Sequence, residues 1–524
     1  MSFDQSASYK ILEKFAKKPI DLTKNVLTKE RIENYCLRSQ GLNLFYATER
    51  VTDEVMDALF ALAKEHNVVD KMHAMQNGKV INTIEGCTSE NRSVLHTAMR
   101  DIFENRIEQD EPKNASDLAK EEMEKLQAFL PNVHDKKHLV MIGIGGSELG
   151  PKALFVAMEP YIQNGRSVHF VSNVDPDAIY STFQKVELEN TLVIVVSKSG
   201  STLETLTNEA IARDIFEKGG LKPKEHFISV TGKNSPMDDP KQYLAIFYIW
   251  DYVGGRYSVT SMVGCVMLGF ALGFKNMLEI LKGANNIDKH VLNAPAEENL
   301  SLMSALLGIW NRNFLHHQTV AIIPYSKAMA RFSAHLQQLD MESNGKHIDK
   351  TGNRVTFETG PIIWGEPGTN GQHSFYQLIH QGTTIVPMEF LGFKTSQLNQ
   401  DLDVQGTTSQ EKLLSNLFAQ TIALAKGQKD ENPNKTFEGN RPSRILFAKQ
   451  LTPYTLGQIL AFYEHKVAYQ GFIWNINSFD QEGVQLGKIL ANKIIELFKA
   501  KRENRAPEES FEEAENYLKL IEKL

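Results

Sequence analysis

The spacing of apolar and polar residues changes near His138. Before that point, ILEKFAKK and DEVMDALFALAKEHNVVDKM carry apolar residues at helical spacing, so residues 1–115 predict a helical lead-in that belongs to the larger domain. From His138 onward, short apolar runs are followed by glycine- or serine-containing loops and then by helix-like stretches, as in HLVMIGIGGSELG, TLVIVVSKSGSTLET and HFISVTGK. This order is typical of parallel β-α-β units.

A second series of the same kind follows, with TVAIIPYS, PIIWG and TTIVPMEFLG as candidate strands. We therefore predict an α/β fold of two doubly wound domains with mainly parallel sheets, spanning residues 116–280 and 281–500. Residues 501–524 are predicted to form a helical C-terminal arm. Its apolar stripe fits either a solvated helix or a docking arm, and comprises Phe511, Tyr517, Leu518, Ile521 and Leu524.

Composition excludes several classes of protein. The chain has 524 residues, of which 42% are hydrophobic and 23% charged, as expected for an ordinary globular protein. A net charge of −7 provides no basic field for nucleic acid. Three widely spaced cysteines form neither a disulfide framework nor a zinc pattern, and the N-terminal residues lack the apolar run of a signal peptide. These features predict a cytoplasmic protein.

One uncharged stretch is long enough to raise the question of a membrane span. It runs from Tyr257 to Phe274 and contains several serine, threonine and glycine residues. The length alone does not separate a membrane helix from the core helix of a globular protein. Because the stretch stands alone in the sequence, we expect a buried helix and no membrane association.

The first candidate binding loop follows the strand at 138–144 and reads Gly143-Ile-Gly145-Gly146-Ser147-Glu148. Such a turn at the start of a helix directs backbone N–H groups towards an anion. A dinucleotide site is the rival interpretation, but Glu148 occupies the position where that motif requires its third glycine. Asp175, at the end of the next candidate strand, keeps the rival open.

The second candidate loop surrounds one glycine with hydroxyl groups and a cation. Hydroxyls, amides and an ammonium group together can hold a phosphate monoester. The alternative is a serine-rich helix N-cap, which would use one or two of the hydroxyls. The loop comprises Ser197, Lys198, Ser199, Gly200, Ser201 and Thr202.

Four further segments place a titratable or donor side chain beside glycines or small residues. Taken singly, each of these side chains fits a surface ion pair, a solvated carboxylate or an ordinary loop histidine equally well. The segments are DYVGGRYS with Gly255 and Arg256, QQLDMESNGK with Gln338 and Glu342, GTNGQH with His373, and SFDQEGVQLGK with Gln481 and Lys488.

In combination, these segments resemble the glucose-6-phosphate isomerase family. DYVGGRYSVTSMVG (251–264) and GFIWNINSFDQEGVQLGK (471–488) are similar to its two signature segments. GIGGSELGP, SKSGSTLET, MESNGK and WGEPGTNGQHSFYQLIHQG resemble further family blocks in the expected order. The likeness spans most of the chain.

The resemblance implies a fold of two SIS-type α/β domains and a homodimer whose active sites lie between domains and subunits. It also implies that the enzyme acts on sugar phosphates and needs neither a cofactor nor a metal. It implies a base at Glu342, a stabilising cation at Arg256, and ring-opening groups at His373 and Lys488. It implies that Gln338 and Gln481 line the sugar pocket and that Gly255 also contacts the substrate or its phosphate. The implied phosphate site comprises Gly146, Ser147, Ser197, Lys198, Ser199 and Thr202.

These residue types match the chemistry of aldose–ketose isomerisation in glycolysis and gluconeogenesis. Ring opening requires proton transfer groups, the C2 proton requires a carboxylate, and the charge on the enediol requires a fixed cation. A non-catalytic SIS-type regulator that binds sugar phosphates would retain the phosphate loops. It would not need Glu342, His373 and Lys488 together, so we expect an enzyme.

Overall fold

The computed structural model describes residues 2–104 and 106–521. The chain divides into two compact units, Met1–Ser478 and Phe479–Leu524, and each unit is described by itself. The strands, in chain order, are β1 (Cys36–Ser39), β2 (Leu42–Phe45), β3 (His138–Ile142), β4 (Ser167–Val171), β5 (Thr191–Ser197), β6 (Phe227–Thr231), β7 (Ala245–Tyr248), β8 (Thr319–Pro324), β9 (Ile362–Trp364), β10 (Met388–Phe393), β11 (Asp403–Val404), β12 (Thr407–Thr408) and β13 (Ser443–Ala448).

The α-helices connect and cover these strands. In chain order they are α1 (Ala7–Ala16), α2 (Lys29–Asn34), α3 (Asp53–Glu65), α4 (Val68–Gln76), α5 (Asp110–Phe129), α6 (Leu149–Ala157), α7 (Pro176–Phe183), α8 (Leu203–Lys218), α9 (Met262–Leu272), α10 (Phe274–Asn293), α11 (Leu300–Ile309), α12 (Phe332–Gln337), α13 (Gly368–Gln372), α14 (Tyr376–Gln381), α15 (Ser409–Lys426), α16 (Pro453–Trp474), α17 (Gln485–Arg502) and α18 (Glu512–Ile521).

The first sheet has the order β4-β3-β5-β6-β7, and all its neighbouring strands are parallel. Its central strand β5 is buried along its whole length, which explains the continuous apolar run TLVIVV. Because β3 and β5 are adjacent and parallel, with Ile142 opposite Val195, the loops that follow them emerge at the same edge. Both predicted binding loops are therefore neighbours.

The second sheet has the order β1-β2-β13-β10-β8-β9. Strands β13, β10, β8 and β9 are parallel, whereas β2 runs antiparallel to both β13 and β1. The predicted α/β class with mainly parallel sheets is thus confirmed.

The antiparallel edge is a hairpin in the segment where the sequence predicted only helices. Its tight turn contains Gln40 and Gly41, both with positive φ, at 53° and 79°. The two strands have only four residues each, too few for a clear alternating pattern. The prediction of a purely helical segment at residues 1–115 is therefore incomplete, because this segment also contributes the β1–β2 hairpin to the second sheet.

The apolar stretch raised as a possible membrane span lies inside the protein. Gly255–Leu272 is long and apolar enough to cross a membrane, yet 94% of it is buried within the fold. It consists of a 3-10 helix, Gly255–Thr260, followed by α9, whose residues are all buried. The expectation of a core helix is confirmed.

The second unit contains α17 and α18. In α18 the side chains of Tyr517, Leu520 and Ile521 are 73%, 60% and 55% exposed, while Ala514 is buried. Leu524, part of the predicted apolar stripe, lies outside the described residues.

Helix α16 carries charged side chains into the core of the first unit. Arg100 donates to Asp288 and to Glu464 of α16, each at 2.6 Å, and His465 lies 2.7 Å from the same aspartate. The guanidinium is fully buried, and its two carboxylate partners hold its pKa above the usual range despite desolvation. A second buried cluster joins Lys466 and Arg444 to Glu389.

We expect Arg100→Met to destabilise the protein by about 3–5 kcal/mol, because two buried carboxylates would lose their counter-charge. Chemical denaturation followed by circular dichroism measures the effect. Lys29→Ala is the matched control: the Lys29 side chain is 87% exposed and its pair with Glu33 is 3.8 Å long, so we expect a change below ~0.5 kcal/mol. Equal effects of the two substitutions would contradict a stabilising role for the cluster.

Candidate active site

The glycine turn after β3 packs directly against the segment that carries Arg256. Gly145–Ser147 forms a 3-10 turn before α6. A Cβ placed on Gly146 would lie 2.2 Å from the carbonyl oxygen of Gly255 and 2.8 Å from the backbone nitrogen of Arg256. Only glycine permits this approach of two backbones. Gly146 therefore allows the Gly255–Arg256 backbone to pack directly against the glycine turn.

The serine loop after β5 keeps most of its hydroxyls within hydrogen-bonding distance of one another. Ser197 and Thr202 share a hydrogen bond of 2.9 Å, and the Ser199 hydroxyl accepts from Ser201 Oγ at 3.0 Å. Thr202 is the N-cap residue of α8, but its hydroxyl bonds Ser197 instead of the helix backbone. The simple N-cap interpretation therefore does not account for the Thr202 hydroxyl.

Lys198 links this loop to the segment preceding Arg256. Its ammonium group donates to the carbonyl oxygens of Asp251 at 3.3 Å and Val253 at 3.1 Å. Burial, with a smaller contribution from Arg92, lowers the pKa of Lys198 to about 8. The cation thus lies between the serine loop and the DYVGGR segment.

Arg256 is 2% exposed and is oriented by groups from two other segments. Its Nε donates to Ser343 Oγ at 2.7 Å, and its Nη2 donates to the carbonyl oxygen of Ser478 at 2.6 Å. Its Nη1 lies 3.7 Å from Oε1 of Glu342. A rigid guanidinium therefore adjoins a carboxylate.

Glu342 ends a π-helical turn, Gln338–Glu342, which continues α12. Within the described part of the chain, Oε2 of Glu342 and Oε1 of Gln338 are buried and have no hydrogen-bond partner. A Cβ placed on Gly145 would lie 3.4 Å from Nε2 of Gln338, so this turn also adjoins the glycine loop. A buried oxygen atom without a hydrogen-bond partner is costly, so both atoms are available to accept a hydrogen bond from a bound molecule.

Sequence reasoning missed three residues of this centre. Ser343 bonds Arg256, Tyr257 lies 3.1 Å from the Ser343 hydroxyl, and Asp340 is a buried carboxyl in the π-helical turn. Burial raises the pKa of Asp340 to about 6. Ser343 and Tyr257 were visible only as neighbours of Glu342 and Arg256 in the sequence, which does not reveal that the two segments meet.

His373 belongs to the segment of the first unit that follows β9. It follows the short helix α13, its side chain is exposed, and it lines a cavity of about 420 Å³ with Tyr376 and His380 of the next helix. Exposure leaves its imidazole accessible to a second molecule.

Gln481 and Lys488 belong to the second unit. Gln481 precedes a 3-10 turn, and Lys488 is an exposed residue in the first turn of α17.

The features that had suggested a dinucleotide site have other roles. The Glu148 carboxylate is 7% exposed and pairs with Lys152 at 2.8 Å. Asp175 is the N-cap of α7 and accepts from the backbone of Asp177 at 3.0 Å. Among the described residues, no group of three or more histidine, cysteine or carboxylate side chains is arranged to hold a metal ion.

Parallel sheets with polar loops at their carboxyl ends place the chain in the class of α/β proteins, in which ligands bind at those ends, and comparison with known proteins defines it further. The family model described as phosphoglucose isomerase matches residues 45–517. The chain therefore belongs to the phosphoglucose isomerase family.

Individual relatives match along the whole chain. A glucose-6-phosphate isomerase of Protochlamydia amoebophila is 56% identical over 524 residues, covering 99% of this chain and 97% of its own. One from Chlamydia pneumoniae is 51% identical, covering 96% of each chain. The crystal structure of a Chlamydia trachomatis glucose-6-phosphate isomerase superimposes with a TM-score of 0.96 at 48% identity, covering 100% of this chain and 99% of that one. The resemblance found in the sequence is confirmed.

We expect Gly146→Ala to lower the free energy of unfolding by about 1–3 kcal/mol, because the added methyl group would displace the Gly255 backbone. Gly255→Ala is the control for stability, since a Cβ at Gly255 would meet no atom within 4 Å. Denaturant titration of both variants measures the difference. If Gly146→Ala were as stable as Gly255→Ala, the two segments would not be in close contact.

Proposed function

We propose that this enzyme interconverts D-glucose 6-phosphate and D-fructose 6-phosphate by ring opening and proton transfer through a cis-enediol. The observation that carries the proposal is Glu342: its Oε1 lies 3.7 Å from a buried guanidinium, and its Oε2 has no partner among the described residues. One carboxylate in that position can remove a proton from C2 and return it to C1. The names of the full-length relatives support the same reaction.

Arg256 stabilises the enediol in this proposal. Negative charge develops on the substrate oxygens as the C2 proton leaves, and a cation that is already oriented needs no reorganisation. The hydrogen bonds to Ser343 and Ser478 support this role because they fix the guanidinium before substrate arrives. Lysine could not reproduce the planar donor geometry.

The phosphate acts as a handle that positions the reacting carbons. We assign it to the adjoining loops after β3 and β5, where Lys198 supplies charge and hydroxyl and amide groups donate hydrogen bonds. Gln338 and Gln481 would line the sugar pocket, and Gly255 would also contact the substrate or its phosphate. The proposed phosphate ligands are Gly146, Ser147, Ser197, Lys198, Ser199 and Thr202.

His373 and Lys488 would open the ring, one group protonating the ring oxygen while the other accepts the hydroxyl proton. The exposed position of His373 fits a homodimer in which its imidazole enters the active site of the partner subunit.

We also propose a cytoplasmic location. The domain limits 116–280 and 281–500, with an arm at 501–524, remain predictions.

A coupled assay that forms glucose 6-phosphate from fructose 6-phosphate, with and without a chelator, tests the proposal. Activity that the chelator leaves unchanged is the expected result. A sugar-phosphate-binding regulator would bind the substrate without turnover.

Glu342→Gln should lower turnover by about 10²–10⁴, because the amide retains the shape of the side chain but cannot accept the C2 proton. Binding of a substrate analogue should remain largely intact. The control is Glu159→Gln, which makes the same chemical change at an exposed carboxylate and should leave turnover unchanged. Near-normal activity of Glu342→Gln would refute the assigned base.

Mixing Glu342→Ala and His373→Ala proteins should restore activity after subunit exchange. A mixed dimer has one site with both lesions and one with neither, so random exchange gives roughly a quarter of wild-type activity. The readout is the coupled assay before and after exchange.

The control mixture combines Glu342→Ala with Arg256→Lys. These two side chains approach within one chain, so every site keeps a lesion in every dimer and no recovery is expected. If the first mixture also failed to recover despite confirmed exchange, His373 would act within its own chain.

A further inference from the structure

Ser343 occupies a position that links the proposed base to the proposed cation. It follows Glu342 directly in the sequence, at the end of the π-helical turn, and it is fully buried. Its hydroxyl accepts a hydrogen bond of 2.7 Å from Nε of Arg256. A single peptide bond therefore connects the carboxylate-bearing residue to the group that holds the guanidinium.

This contact restricts how the guanidinium can rotate. The five N–H donors of arginine lie in one plane, so two hydrogen bonds to different edges fix that plane. Ser343 holds the Nε edge and the Ser478 carbonyl holds Nη2, and Nη1 then lies near Oε1 of Glu342 at 3.7 Å. Loss of the Ser343 hydroxyl would leave the Nε–H buried without this acceptor.

The Ser343 hydroxyl is itself held in place. The phenol oxygen of Tyr257 lies 3.1 Å from Ser343 Oγ, and either group can donate. Tyr257 is 1% exposed, and its ring stacks on His96 with the ring centres 4.6 Å apart. Burial raises the pKa of Tyr257 to about 12, so the phenol keeps its proton at neutral pH.

We propose that Ser343, supported by Tyr257, is a positioning residue that sets the orientation of Arg256 relative to Glu342 for the isomerisation step. The inference rests on the proposed function. It predicts an effect on turnover that depends on the presence of the guanidinium, whereas a purely structural serine would affect stability alone.

We expect Ser343→Ala to lower kcat by about 10-fold or more with little change in KM, since a hydrogen bond to a charged group is lost at the reacting end of the substrate. Tyr257→Phe should have a smaller effect in the same direction. Both are assayed with fructose 6-phosphate after production in a host without its own isomerase activity.

The decisive measurement is a double-mutant cycle with Arg256→Met. In that background no Nε–H remains to be oriented, so Ser343→Ala should cause less than about a twofold further loss. Ser343→Cys, which nearly preserves the volume but replaces the oxygen acceptor, repeats the cycle if the alanine variant does not fold.

Ser116→Ala is the matched control for a buried serine. Ser116 is fully buried and donates to the carbonyl oxygen of Asp101 at 2.6 Å, so its loss should affect stability while kcat is unchanged. Equal losses from Ser343→Ala in the wild-type and Arg256→Met backgrounds would overturn the inference alone. Near-normal activity of Arg256→Met would overturn both the inference and the proposed role of Arg256.

Discussion

The close contact between the backbones of Gly146 and Gly255 is the constraint on which the site depends. A Cβ on Gly146 would lie 2.2 Å from the Gly255 carbonyl, so two segments more than a hundred residues apart meet without any side chain between them. The contact joins the edge of the first sheet to the start of the Arg256 segment. Lys198 reinforces it from the neighbouring loop by donating to the carbonyl oxygens of Asp251 and Val253.

Helix α16 brings two clusters of buried charge into the core of the first unit. Helix α16 contributes Glu464 to the cluster with Arg100 and Lys466 to the cluster with Glu389. Burial raises the pKa of Asp340 in the π-helical turn, and the positive charge of Lys466 partly opposes that increase. Breaking such pairs is costly because the remaining charge stays desolvated. The π-helical turn that carries Glu342 is thus electrostatically coupled to α16.

Sequence patterns were sufficient for the class of fold and for the family. Apolar runs such as TLVIVV predicted buried parallel strands, since a strand covered on both faces must be apolar throughout. The two signature segments, which contain Arg256 and Lys488, identified the family together with further family blocks such as MESNGK, which contains Glu342. The β1–β2 hairpin was missed because four-residue strands are too short to show alternation, and because Gln40-Gly41 is not among the dipeptides, such as Asn-Gly and Asp-Gly, that indicate a tight turn in a sequence.

The sequence by itself determined the α/β class of the fold and which residue types are available for proton transfer, because both depend on local composition and spacing. Only the tertiary structure decided that Ser343 holds Arg256, that Lys198 donates to carbonyl oxygens before Arg256, and that Glu342 Oε2 is buried without a partner among the described residues. These facts arise from contacts between segments far apart in the chain. No local pattern specifies such contacts, because they depend on how the packed backbones approach one another.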